Sequence, residues 1–254
     1  MSEKSTETSA TERLIQVLDA LDARPAAARL RQRSYDLLRA EPGDRVIDVG
    51  CGTGLAAAEL AARGVKSLGL DLDDRMIAEA RRRHPDAEFQ VADALRLPFG
   101  DGELTGYRAE RVLHNLPDMP AALAEARRVL APDGRIVLLG QDWDTFIIDS
   151  DDPDLTRTIL HARANLVPNP RSARRYRALL LDAGFADVEA EVHTGVFTDP
   201  LMLPLIAGVA QAVRAAGAIT EEQRAAWIAE QTHRARNDRL FVALPMFVAW
   251  ARRP

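Results

Sequence analysis

From Arg45 to Gly140 the chain alternates short apolar runs with amphipathic stretches of helical period, and few folds accommodate that rhythm. RVIDVG, KSLGLDL, AEFQVADA and RIVLLG are the apolar runs, with LTGYRAER a less regular one among them. GLAAAELAARG, DDRMIAEARRRH and MPAALAEARRVL are the helical stretches, closed by Gly64, by Pro85 and by the turn Pro132–Asp133–Gly134. Strands separated by helices of this length pair in parallel, because the crossover returns the chain to the same end of the sheet. Parallel strands need helices on both faces. The expectation is an α/β fold with a doubly wound, mostly parallel sheet.

The flanks read differently. Residues 1–10 are polar and rich in Ser and Thr, the composition of a disordered tail. Residues 11–40 carry two helical patterns, ERLIQVLDALDA and AAARLRQRSYDLLRA, separated near Pro25, and are expected to act as N-terminal cap helices. Beyond Gly140 an acidic loop, DWDTFIIDSDDPD, leads to helix LTRTILHARANLV, helix RSARRYRALLLDAG and strand ADVEAEVHTGVF. Two further helices, LMLPLIAGVAQAVRAAG and TEEQRAAWIAEQTHRA, occupy about residues 200–236, with Thr220 as the N-cap of the second. They read as a helical cap insertion within a single domain spanning residues 41–254, which ends in strand LFVALPMFVAWAR.

Composition narrows the function. A net charge of −5 disfavours a nucleic-acid partner, which calls for a basic face. The arginine clusters 81–83 and 174–175 lie in helical patterns and read as solvated faces. No apolar run reaches the roughly 20 residues a membrane span requires. MSEKSTETSATE is no secretory signal. The one cysteine, Cys51, excludes an internal disulfide and supplies too few thiolates for a structural zinc site. These features point to a cytoplasmic protein with a small-molecule partner, as a monomer or homodimer.

Chemistry concentrates in VIDVGCGTGLAAAEL, residues 46–60. With VIDVG on a strand and LAAAELAA on a helix, Gly50, Gly52 and Gly54 fall in the turn between them, where bare backbone lets a ligand approach helix-end amides. The dinucleotide pattern G-x-G-x-x-G fails, since Leu55 stands at its third glycine position. The phosphate-loop pattern fails too, lacking its Lys–Ser/Thr pair.

The spacing D-x-G-x-G-x-G, Asp48 to Gly54, resembles motif I of class I S-adenosylmethionine-dependent methyltransferases. GLDLDD, VADALRLPF, RVLHNLPD and ARRVLAPDGRIVL resemble four further segments of that family, in order, across about residues 40–140. The resemblance implies a Rossmann-like sheet of seven strands, the last antiparallel, and S-adenosylmethionine as cofactor, leaving S-adenosylhomocysteine as product. It implies that Asp71 accepts from both ribose hydroxyls, that Leu72 packs on the adenine, and that Asp93 and the backbone of Ala94 address the adenine edge. Asp48 would anchor the ammonium of the methionyl tail, directly or through water. Met76, Arg111 and Cys51, the last as a small filler of the loop, complete the expected cofactor set. One departure stands out: strand four of the family usually begins with a Phe–Asp pair, whereas this chain has Glu103–Leu104–Thr105. What Arg108 and Glu110 do at that strand's end is therefore open; they could face substrate or pair with each other.

Methyl transfer requires no metal and draws on near-attack geometry in a pocket that excludes water. A hydroxyl or carbon-acid acceptor would benefit from a base, and His114 is the best-placed candidate, as base or as substrate contact. Tyr35, Asp142 and Trp143 are the other expected substrate residues, with Asp142 and Asp144 as acids that could seat an amine. Rival readings are a protein or tRNA methyltransferase, and an enzyme that keeps the cofactor as a structural element while catalysing a cyclisation.

Overall fold

The computed structural model describes Asp19 and residues 22–254; the polar tail and most of the first helical pattern lie outside the described residues. The chain divides into two compact units. One comprises Arg31–Thr145, Leu166–Thr194 and Pro245–Pro254; the other comprises the described residues up to Leu30, with Phe146–Asn165 and Gly195–Leu244.

The first unit is the sheet. Its strands are β1 (Arg45–Val49), β2 (Lys66–Asp71), β3 (Glu88–Val91), β4 (Leu104–Glu110) and β5 (Leu130–Gln141). Helix α1 (Pro25–Leu38) contributes its second half, and α2 (Leu55–Ala61), α3 (Asp74–Arg83) and α4 (Met119–Val129) join the strands. The spatial order β3-β2-β1-β4-β5 is wholly parallel, and residues 246–252 of the last strand, β8 (Val242–Arg252), pair antiparallel with β5. Order reverses between β1 and β4, and in an open sheet that switch point opens a crevice at the strands' carboxyl ends. The expected mostly parallel sheet with its antiparallel last strand is present. An eighth strand, the two-residue β6 (Ile147–Ile148), exceeds the seven expected; it is too short to carry a periodicity.

The physical basis is plain in the core. Ile47, Val49, Leu70, Tyr107, Ile136 and Leu138 come from strands, and Leu123, Ala126 and Val129 from α4, in one buried cluster. The central strands β1 and β5 carry long buried runs, as a sheet buried on both faces requires, while β3 at the end of the strand order buries only Phe89. Asp73 caps α3 through the Arg75 amide, and Asp118 caps α4 through the Ala121 amide.

The second unit is largely helical. α5 (Pro153–Asn165), α7 (Leu203–Ala215) and α8 (Glu221–Arg236) bury Ile159, Ile206, Val209, Val213 and Trp227 against one another. The Trp227 indole donates to Thr156 Oγ1 at 2.9 Å, which satisfies the one polar atom of that buried ring. Thr220 and Gln223 close α8 with reciprocal hydrogen bonds, the full capping box. Between the helical segments in sequence run α6 (Tyr176–Asp182) and β7 (Ala186–Phe197).

Candidate active site

The glycine turn lies at the carboxyl end of β1, beside the switch point. All three glycines are left-handed, with φ of 67° at Gly50, 54° at Gly52 and 88° at Gly54. A Cβ on Gly50 would meet Val112 at 2.3 Å, and one on Gly54 would meet the Phe89 ring at 2.5 Å. A Cβ on Gly52 would meet nothing within 4 Å. Packing thus explains the outer two glycines, while Gly52 presents bare backbone to open space.

Asp71, at the end of β2, is bound to this turn. Its Oδ2 accepts from the Gly52 amide at 2.9 Å and its Oδ1 from the Asp73 amide at 3.0 Å. Each carboxylate oxygen has a second lone pair, so two amides leave accepting capacity for a ligand. Leu72, next in sequence, is 71% exposed, an unusual setting for a leucine at a strand end. Met76 is buried on α3. Asp93 is exposed and accepts from the Leu95 amide at 2.9 Å, which fixes the turn holding Ala94. The Cys51 amide donates to Leu70, and its half-buried thiol packs beside Ile77 and Phe89. Burial pushes that thiol well above its ordinary range, as expected of filler rather than nucleophile.

Asp48 is placed differently from expectation. Its carboxylate is 2% exposed and its Oδ1 is held by Arg108 Nη1 at 2.7 Å. Arg108 also donates through Nη2 to Glu110 and through Nε to Ser34 Oγ at 2.9 Å. The open question about strand four is settled here: Arg108 and Glu110 pair, and Asp48 joins them. Parallel register sets Asp48 opposite Arg108, so the contact follows from the sheet itself. Burial raises Asp48 above the usual carboxylate range despite the neighbouring guanidinium. Desolvation also opposes ionisation of Glu110, but Arg111 and Arg108 hold it below its ordinary value. Arg111 itself has φ of 59° and lies 3.4 Å from Glu110.

On the acceptor side, His114 and Trp143 come together. Their rings meet edge to face with centroids 5.8 Å apart, and both belong to segments that follow the carboxyl ends of β4 and β5. Asn169 stitches the wall: its amide donates to the His114 carbonyl at 2.9 Å and its side chain to the Leu116 carbonyl at 2.6 Å. Trp143 is tied to the same loop through the Pro170 carbonyl. Two expectations change here. Asp142 is fully buried, with both oxygens on Arg174, and Asp144 is paired with Arg171; these acids are structural, because arginines from the next segment neutralise them. Arg174 is exposed, as expected of a solvated face, and also serves as the ion-pair partner of Asp142. Tyr35 is buried too, its hydroxyl donating to Glu59 at 2.8 Å, so it braces α1 on α2 rather than presenting a free hydroxyl.

Residues 47–138 match the family model described as a methyltransferase domain. A demethylmenaquinone methyltransferase of Beutenbergia cavernae is 42% identical over 108 residues, covering 42% of this chain and 45% of the relative. Residues 47–138 belong to the class I S-adenosylmethionine-dependent methyltransferase family.

Similarity also extends beyond this methyltransferase domain. A protein named as uncharacterized in transposon TN4556 of Streptomyces fradiae is 38% identical over 192 residues, covering 73% of this chain and 56% of the relative. The chain therefore spans about half the length of the curated relatives it matches. A crystal structure titled a putative methyltransferase of Bacillus halodurans superposes with a TM-score of 0.62 at 18% identity, covering 88% of this chain and 98% of that one. This likeness concerns the fold. Within the methyltransferase domain and its flanks, sequence reasoning missed Arg108 as a hub, Asn169 and Arg174. A buried arginine cannot be told from a surface one by spacing; the only available signal was an arginine inside an apolar strand.

Proposed function

We propose that the chain binds S-adenosylmethionine and transfers its methyl group to a small-molecule nucleophile. The observation that carries the reading is the open face of Gly52 with the Asp71 carboxylate bonded beneath it. The residues present fit that cofactor. Asp71 retains lone pairs for two vicinal hydroxyls, Leu72 offers an exposed apolar surface for a purine, and Asp93 and Ala94 stand at the end of the next strand. When bound, the cofactor supplies an electrophilic methyl group on sulfur.

The protein's part is positioning. Asp71 and the open backbone at Gly52 fix the donor, while His114 and Trp143 form an aromatic wall against which an acceptor can be held. His114 is the group we assign as base for a hydroxyl or carbon-acid acceptor. Among the described residues no helix is long and apolar enough to cross a membrane. We infer a cytoplasmic enzyme of small-molecule biosynthesis.

Two measurements test this. Incubation with methyl-labelled cofactor and candidate acceptors should place label in the product; conversion without label would favour the cyclase reading. Calorimetry should detect S-adenosylhomocysteine binding to the wild type. Asp71→Ala should weaken it by about 1.5–3 kcal/mol, roughly ten- to a hundredfold, the worth of hydrogen bonds to a charged group. Unchanged affinity would refute the ribose assignment.

A further inference from the structure

The buried cluster on β4 has a property that the cofactor reading alone does not explain. Two carboxylates, Asp48 and Glu110, converge on one guanidinium, and Arg108 spends Nη1, Nη2 and Nε on protein groups: Asp48, Glu110 and Ser34. Ser34 is itself fixed to the Arg31 carbonyl at 2.6 Å, and the Tyr35 ring centroid lies 5.9 Å from the guanidinium carbon. Arg108 is 2% exposed, so the fork faces protein on every side. Asp48 stands two residues before Gly50, and Glu110 one residue before Arg111 at the switch point.

We infer that Arg108 is a positioning residue for cofactor binding: without touching the cofactor, it fixes the orientation and the negative charge of Asp48 and Glu110 beside the glycine turn. This inference rests on the proposed cofactor site and deepens it. The physical reason is the cost of a buried carboxylate without a counter-ion, which takes up a proton instead of staying charged. Remove the guanidinium and the two acids face each other across adjacent strands with only Arg111, and Arg31 from α1, to balance them. The remaining groups nearby are acidic or neutral: Asp71 from β2, Glu59 through Tyr35, and the Cys51 thiol. One acid is then protonated near neutrality; the net charge of the cluster stays the same, but that acid is neutral and no longer held in place beside the glycine turn. Lysine keeps the charge but cannot reproduce three donors in one plane.

The test is S-adenosylhomocysteine affinity by calorimetry from pH 6 to 8.5, on wild type, Arg108→Met, Arg108→Lys and the double variant Arg108→Met/Asp48→Asn. The wild type should bind with a nearly flat profile. Arg108→Met should bind at least tenfold more weakly at pH 6.5 and recover as pH rises. The double variant, with one acid fewer, should be flat again. A role in folding alone would lower thermal stability but leave a flat profile in every variant. Wild-type affinity and a flat profile in Arg108→Met overturn the inference. If that variant fails to fold by circular dichroism, Arg108→Lys decides: tenfold weaker binding supports the inference, and unchanged binding overturns it. Failure of the wild type to bind would instead refute the cofactor site itself.

Discussion

An alanine at Gly54 would place its Cβ 2.5 Å from the Phe89 ring and 2.9 Å from the Ala80 Cβ, on a backbone already left-handed. At Gly52 the same change meets only open space. The two positions should therefore separate stability from binding. Gly52→Ala carries the left-handed penalty, about 1–2 kcal/mol. Gly54→Ala adds overpacking of about 1–3 kcal/mol to that. Thermal melting should rank Gly54→Ala clearly below Gly52→Ala, while S-adenosylhomocysteine binding falls in Gly52→Ala although it stays folded. Equal melting temperatures would show that packing does not set these glycines apart. At this scale the sequence was informative wherever a residue's identity is dictated by its own backbone. Gly50, Gly52 and Gly54 could be located from spacing, and the strand-end Asp71 from the family resemblance. Asp48, Asp142 and Tyr35 could not be interpreted, because their partners Arg108, Arg174 and Glu59 come from elsewhere in the chain.

At the scale of elements, the helical unit hangs on one indole. Trp227 is 1% exposed and joins α8 to α5 through Thr156, in the middle of a cluster that also holds Ile159, Val209 and Val213. Trp227→Ala should cost about 3–5 kcal/mol, read as a lower urea midpoint followed by a probe in the helical unit. A loss below about 1 kcal/mol would place the indole outside the core. Helix ends were readable where capping chemistry sits in sequence: Thr220 at α8 is the case, with Gln223 as its return partner. β5 was harder. It starts at Leu130, ahead of the Pro132–Asp133–Gly134 turn, with an irregular register against β4 between Leu104 and Gly106. Irregular pairing leaves no periodic trace, and neither does the two-residue β6.

At the scale of the molecule, arginine–carboxylate pairs are the electrostatic pattern. Glu79 is held down to about 2 by Arg82 and Arg83, and Glu191 to about 2 by Arg33 and His193. A carboxylate depressed in the folded state contributes stability that is present above its unfolded value, near 4.3, and lost as pH falls toward the folded one. Urea unfolding should thus show stability falling between about pH 4.5 and 2, with a small amplitude because these pairs are partly exposed. Asp48, raised by burial, acts in the opposite sense and softens the decline. Stability that stays flat through that window would mean the pairs contribute nothing.

The sequence by itself determined the alternation of strand and helix and the glycine turn, because each depends on local period or on backbone freedom, while the carboxylate one strand over followed from the family resemblance. Only the tertiary structure decided which charges cancel and which remain available. Residues 48 and 108, or 142 and 174, become neighbours through sheet register and loop closure. An ion pair between such distant positions leaves no mark in the spacing of either partner.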